Sequence, residues 1–459
     1  IRAPRVRGLC CVRLGLAARA EPIEVQWKRN VADEWRQSSV RTLDDLPDWE
    51  APRVADPRSP YGGWLSQAVD DGTGFFRVER IDGRWWFVDP GGYRYYSVGL
   101  TSVRPRTGEP ADTAYAERWA DESAWANDTI TLMRELGYNA IGRWSRVESL
   151  MAVPRRIPYT TSPNFMGSFG REHGLTTWGY GNARYAHNAI PVFHPDFEAH
   201  CDALAREELA PLANDAYVLG HFTDNELPMP RNLLETTLAI DPEEIPALRY
   251  NLEAAWAWFR ERHGPDVTVD AITDEDNLDY LGFVMDRYYA ITTAAIRKHT
   301  PNHLNLGSRL HGAGIHIDQV IAAAGKHLDV ISMNYYNVWA PSEGHLERWH
   351  THSPDTPFLI TEFYVKGEDS GMDNDPGAGW IVPTQRDRGL WYQHFTMRLL
   401  EAPNSVGWHY FNYQDSPGDS NKGILNTRFE PHLDFIELMT PIHEHVYSLR
   451  QYFGEITAN

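Results

Sequence analysis

Eight short apolar runs, each followed by a polar or amphipathic stretch, constrain this 459-residue chain more than any other feature. They cover 95–103, 138–144, 158–166, 217–226, 303–310, 329–337, 357–365 and 405–415. All are of the buried-strand type, apolar through most of their length and without strict alternation. The intervening segments, among them DESAWANDTITLMRELG, DFEAHCDALAREELAPLAN, DYLGFVMDRYYAITTAAIRKHT and QRDRGLWYQHFTMRLLEAPN, space their apolar residues as helices do. Strand then helix, repeated eight times, predicts an α/β chain folded as a (β/α)8 TIM barrel. A doubly wound open sheet is the rival, but no G-x-G-x-x-G follows an early strand.

The barrel is expected over 95–459, behind a short irregular and β extension. Residues 1–20 read as a terminal tail, disordered or processed; Arg13 interrupts their apolar stretch, which makes a poor secretory signal. Residues 21–94 read as an N-terminal wrap and a β-hairpin. The wrap, to about Ser66, is polar and Pro-containing, with room for one or two strands. The hairpin, FFRVERIDGRWWFVDPGGYRYYSVGL, alternates apolar and polar residues around Asp82-Gly83, a strong two-residue turn signal, and is punctuated again by Pro90-Gly91-Gly92.

Charge and composition narrow the partners. With 63 acidic against 43 basic side chains the formal charge is −20, which argues against nucleic acid and anionic membranes, whose binding needs Lys and Arg. No 18-residue apolar run marks a membrane span. Three cysteines, Cys10, Cys11 and Cys201, cannot make a disulfide framework, so packing must supply stability. The excess is aromatic, with 17 Trp, 22 Tyr and 17 Phe, many beside Asn, Asp, Glu or His. Such pairings suit sugars, which present both C–H faces and hydroxyls, although aromatics also fill large cores.

Chemistry in a barrel of this kind sits where the strands end at their C-termini. The fourth run ends Thr223-Asp224-Asn225-Glu226 and the seventh carries Thr361-Glu362-Phe363, so each sets a Glu at the mouth. Two facing carboxylates are what glycosidic hydrolysis requires: one protonated to assist the leaving oxygen, the other ionised to attack carbon.

These residues resemble the clan A retaining glycoside hydrolases, in which Asn precedes the acid/base on strand four and the nucleophile ends strand seven. More narrowly, RWWFVDPGGYRYYSVGL, GHFTDNEL, ISMNYYN, PFLITEFY and APNSVGWHYFNYQDSP are similar to glycoside hydrolase family 50, the β-agarase family, over about Gly74 to Phe453. The resemblance implies that Glu226 is the acid/base, Glu362 the nucleophile and Asn225 the partner of the sugar 2-hydroxyl. It implies that Arg143, in IGRW, keeps the nucleophile ionised, and that Tyr336, of one strand parity with Asn334, holds Glu362 in place. Retention implies carboxyl groups roughly 5 to 5.5 Å apart, against roughly 6.5 to 9.5 Å for inversion. Agarases of that family carry a substantial β-sandwich before the barrel, whereas about 70 residues precede the hairpin here. Another β-linked galactan or galactoside therefore stands beside agarose as a candidate substrate. A β-glucanase or β-mannanase-like hydrolase with the same two carboxylates, and a non-catalytic carbohydrate-binding barrel, remain the alternatives.

Trp408 and Tyr410 on the eighth strand, and Trp380 in the loop KGEDSGMDNDPGAGWIVP, are candidate stacking platforms for sugar rings; His311 and His221 are candidate hydroxyl partners. No cofactor or metal is expected: Asp369, Asp373 and Asp375 lack calcium-loop spacing, and no H-E-x-x-H, paired C-x-x-C or phosphate-cradling motif occurs. The expected partner is an oligo- or polysaccharide. A polymeric substrate would place the protein outside the cell or in the periplasm, a small one leaves the cytoplasm open, and oligomeric state is left open too.

Overall fold

The computed structural model describes residues 22–179 and 182–458, so the expected terminal tail, with Cys10 and Cys11, lies outside the described residues. Each of the eight runs contains a barrel strand: β1 (Ser97–Leu100), β2 (Ala140–Ile141), β3 (Tyr159–Thr161), β4 (Val218–Phe222), β5 (Asn305–Gly307), β6 (Ile331–Asn334), β7 (Phe358–Glu362) and β8 (Ser405–Tyr410). All pair in parallel, in the order β5-β4-β3-β2-β1-β8-β7-β6. The ring closes through a parallel bridge between Leu310 and Met333: Leu310 N donates to Ser332 O at 2.9 Å, and Asn334 N to Leu310 O at 2.8 Å. Closure excludes the open-sheet rival.

Several of the intervening helices start at side-chain caps. Helix Glu122–Glu135 starts with the Asp121 carboxylate accepting from Ala124 N, and helices Asp274–His299 and Gln385–Glu401 each start with a Thr-x-x-Asp box, Thr273/Asp276 and Thr384/Asp387. Such reciprocal caps satisfy donors that the first turn leaves unpaired.

Of the β features outside the ring, two come from the N-terminal segment. Strands Arg77–Ile81 and Arg84–Val88 form the expected hairpin, with Asp82 (φ 52°) and Gly83 (φ 77°) as its two-residue turn, and Arg94–Tyr95 adds a third strand. Phe76, Phe87 and Tyr95 of this sheet share one apolar cluster with Ala140, Leu219, Leu306, Leu359 and Val406 of the barrel strands, so the sheet plugs the end opposite the expected site. The wrap contributes Ile23–Trp27 paired with Arg36–Val40, and Lys28 extends that pairing to Ile381 in the loop after β7. This strap lies across the loops that follow β6 and β7: Trp27 stacks on Trp380 with centroids 4.1 Å apart, and Trp339 Nε1 donates to Ser39 O at 3.0 Å.

Candidate active site

Backbone irregularity concentrates where the strands end. Ser102, Trp144, Glu226, Arg309 and Asn337, just past β1, β2, β4, β5 and β6, all take positive φ between 49° and 67°. Side chains with a Cβ rarely adopt that region, and such residues gather at sites whose surroundings over-determine them. On β7 the register against β6 slips: Met333 pairs with Ile360, but Asn334 pairs with Glu362. The extra residue, Thr361, donates from Oγ1 to Asn334 Oδ1 at 2.8 Å, and the bulge re-aims Glu362.

A single hydrogen-bonded chain joins the two carboxylates. Glu226 Oε1 accepts from Asn334 Nδ2 at 2.7 Å, and the same amide lies 3.5 Å from Asn225 Oδ1. Asn225 Oδ1 accepts from Arg309 Nη1 at 2.8 Å, and Arg309 Nη2 donates to Glu362 Oε1 at 2.5 Å. Glu362, 5% exposed, also accepts from Trp144 Nε1 on Oε1 at 3.0 Å and from the Tyr336 phenol on Oε2. Burial, and after it the charge of Glu362, pushes the Tyr336 phenol well above its ordinary pKa, so it stays a donor. His311 Nδ1 donates to Asn334 O at 3.3 Å and sits 3.9 Å from Glu226 Oε1.

A layer beneath holds these groups. Asp224 accepts from Tyr288 Oη at 2.7 Å and, at 2.8 and 2.9 Å, from the N–H groups of Met166 and Gly167 in the first turn of helix Phe165–Glu172. That pins the backbone immediately before Asn225. Burial raises the Asp224 carboxyl to about 6, against the lowering effect of those donors. Arg143 is buried and donates from Nη2 to Asn164 Oδ1, its guanidinium 4.2 Å from the Trp144 ring centroid. Burial, then the charge of Arg309, lowers its pKa to about 9.

The tertiary structure thus brings together Glu226, Glu362, Asn225, Asn334, Tyr336 and His311. It separates three others from them. Trp408 and Tyr410 are fully buried against helix Gln385–Glu401: Trp408 Nε1 donates to Tyr392 Oη at 2.7 Å, and Tyr410 Oη accepts from Arg388 at 2.7 Å. The expectation that they are stacking platforms is corrected by a bulge at Gly407 (φ 149°), where β8 slips register against β7. Val406, before it, belongs with the barrel interior, whereas Trp408, after it, packs outward despite equal parity. His221 is also fully buried, with Thr161 Oγ1 2.6 Å from Nδ1, and burial lowers its pKa to about 3. A hydroxyl in the mouth cannot reach it. Trp380 is half-buried in the strap's stack with Trp27 and Trp339.

Sequence reasoning missed Arg309 and Trp144. The available signals were an arginine inside the apolar fifth run, SRLHGAG, and the Trp that follows Arg143 in IGRW. A cavity of about 490 Å³ between residues 173–177, 184–186 and 244–247 is lined by neither carboxylate. Among the described residues no group of three His, Cys, Asp or Glu side chains is placed to hold a metal ion, and no helix is long and apolar enough to cross a membrane.

No family model matches the chain. The crystal structure of BpGH50 superposes with a TM-score of 0.85 at 30% identity, covering 94% of this chain and 96% of that one. Beta-agarase B of Vibrio sp. (strain JT0107) is 24% identical over 498 residues, 86% of this chain and 50% of that protein. This chain therefore spans about half the length of the curated relatives it matches. The structure of an exo-beta-agarase shares the fold, with a TM-score of 0.70 at 20% identity over 86% of this chain and 68% of that one.

Proposed function

The chain belongs to glycoside hydrolase family 50, and from that premise we propose that it hydrolyses β-galactosidic linkages of agarose-type or related galactans by a retaining double displacement. The observation that carries the proposal is the pair of mouth carboxylates, Glu226 past β4 and Glu362 ending β7, joined through Asn334, Asn225 and Arg309. In the first step Glu226 gives its proton to the glycosidic oxygen as Glu362 attacks the anomeric carbon; the carbon–oxygen bond breaks and a glycosyl ester forms. In the second, Glu226, now ionised, takes a proton from water, whose oxygen displaces Glu362. Asn225 bonds the 2-hydroxyl, a contact that strengthens as the oxocarbenium-like state develops. His311, beside Glu226, and the Trp380 stack in the loop after β7 serve as sugar contacts. The agarose-type substrate is supported by the names of the relatives, beta-agarases A and B.

The test is product analysis with agarose oligosaccharides, simple β-galactosides and β-glucans, using the native chain, Glu226→Gln and Glu362→Gln, with NMR of the first-formed anomer. The expected result is cleavage of agarose oligosaccharides with retention, and a loss of at least about 10³-fold in each variant. An inverted product would remove the double displacement. Cleavage of glucans alone would remove the galactan assignment, and no cleavage at all would leave a carbohydrate-binding barrel.

A further inference from the structure

Glu362 is gripped unequally. Oε1 accepts two donors, Arg309 Nη2 at 2.5 Å and Trp144 Nε1 at 3.0 Å, whereas Oε2 accepts the Tyr336 phenol. A carboxylate oxygen has two lone pairs in its plane. Those of Oε1 are both engaged by donors, so an electron pair for attack comes from Oε2.

The guanidinium that bonds Oε1 comes from just past β5, whereas Arg143, just past β2, acts on Glu362 through its charge. Arg143 directs Nη2 to Asn164 and stacks on Trp144. Arg309 is fully buried at φ 55°, and its Nη2 also reaches Thr361 O at 3.2 Å while Nη1 holds Asn225. The rings of Phe222 and Trp144 lie 5.3 and 6.0 Å from its guanidinium carbon. A cation walled by apolar rings acts on its carboxylate through little solvent. His409 lies on the same buried side; burial, and after it the charge of Arg309, lowers its pKa to about 3 and leaves it neutral.

We propose that Arg309 is the positioning residue of the nucleophile. With Trp144 it fixes Oε1 as the carbonyl oxygen of the glycosyl ester and Oε2 as the attacking atom, and through Nη1 it sets the amide of Asn225. An Oε2 electron pair forms the bond to the anomeric carbon, the leaving oxygen departs with the proton of Glu226, and the ester carbonyl stays hydrogen-bonded to Arg309 and Trp144. The inference rests on the reading of Glu362 as nucleophile.

The test is the pH profile of kcat/KM and the split between kcat and KM for Arg309→Gln, Arg309→Lys, Trp144→Phe and Arg143→Gln in the full chain, with whichever glycoside of the panel above is cleaved. Arg309→Gln is expected to lower kcat at least about 100-fold, to change KM less than about 3-fold, and to move the acid limb up by about 1 to 2 pH units. Arg309→Lys restores most of the limb position. Trp144→Phe removes one neutral donor, lowering kcat about 10-fold with a smaller upward move, and Arg143→Gln, which removes a charge that makes no bond to Glu362, moves the limb less than Arg309→Gln does. An unmoved limb in folded Arg309→Gln, or a limb that moves further in Arg143→Gln than in Arg309→Gln, overturns the proposal. If Arg309→Gln does not fold, an unchanged kcat in Trp144→Phe overturns it. Activity surviving in Glu362→Gln would mean that the nucleophile reading had failed, a separate outcome.

Discussion

Tyr336 and Trp408 are both large aromatic residues near strand ends, yet their surroundings give them opposite consequences. The Tyr336 phenol donates to Glu362 Oε2, so Tyr336→Phe should lower kcat about 10- to 100-fold while leaving the urea midpoint nearly unchanged. Trp408 is buried and bonded to Tyr392, so Trp408→Phe should cost about 1 kcal/mol in urea unfolding and leave kcat/KM within about 2-fold. A loss of activity in Trp408→Phe without a loss of stability would return it to the sugar site. Glu226 and Glu362 were legible as a pair because each closes a buried apolar run. The partners of Glu362 were not, since Arg309 and Trp144 come from β5 and β2 and meet it only across the closed ring.

At the level of elements, two irregularities decide what the strands present. The β8 bulge depends on Gly407, where an added Cβ would lie 2.2 Å from Ser97 O at φ 149°. Gly407→Ala should therefore destabilise the barrel by about 2 to 4 kcal/mol, read by urea unfolding; a variant as stable as the parent would show that β8 can be relaid without the bulge. The strap is held differently, by contacts that include the Trp27–Trp380 stack, the Lys28–Ile381 bridge, the Trp339 Nε1 bond to Ser39 O and the Lys28–Glu368 ion pair at 2.7 Å. Trp27→Ala should open residues 28–35 to limited proteolysis while the barrel's own unfolding midpoint barely moves. Proteolysis no faster than in the parent would mean that the remaining contacts hold the strap by themselves.

For the molecule as a whole, buried histidines set the response to acid. His221, His409 and His443 are fully buried and held near pKa 3, with burial the first cause in each. The unfolded chain takes up these protons below about pH 6.5 and the folded one does not, so their contribution is complete above that pH and is lost as pH falls towards 3. At pH 5 each should remove about 2 kcal/mol. Asp224 acts in the opposite sense: its carboxyl is held at about 6, and acidification from pH 7 to 5 relieves about 1 kcal/mol of its ionisation cost. Urea unfolding should accordingly show a net fall of several kcal/mol from pH 7 to 5, reduced in His443→Gln if that variant folds; a flat profile would remove the buried neutral histidines as its cause.

The sequence by itself determined the eight strands, the helices between them, the Asp82-Gly83 hairpin and the two carboxylates, because each depends on neighbours within a few residues: apolar periodicity, caps and turn conformations. Its strand parity failed at Gly407, since a bulge exists only in relation to the partner strand. Only the tertiary structure decided which arginine bonds Glu362, that Asn334 links it towards Glu226, and that the strap's Trp27 covers Trp380. Those relations join residues tens to hundreds of positions apart, and only the folded ring, with the strap laid across its loops, brings them into contact.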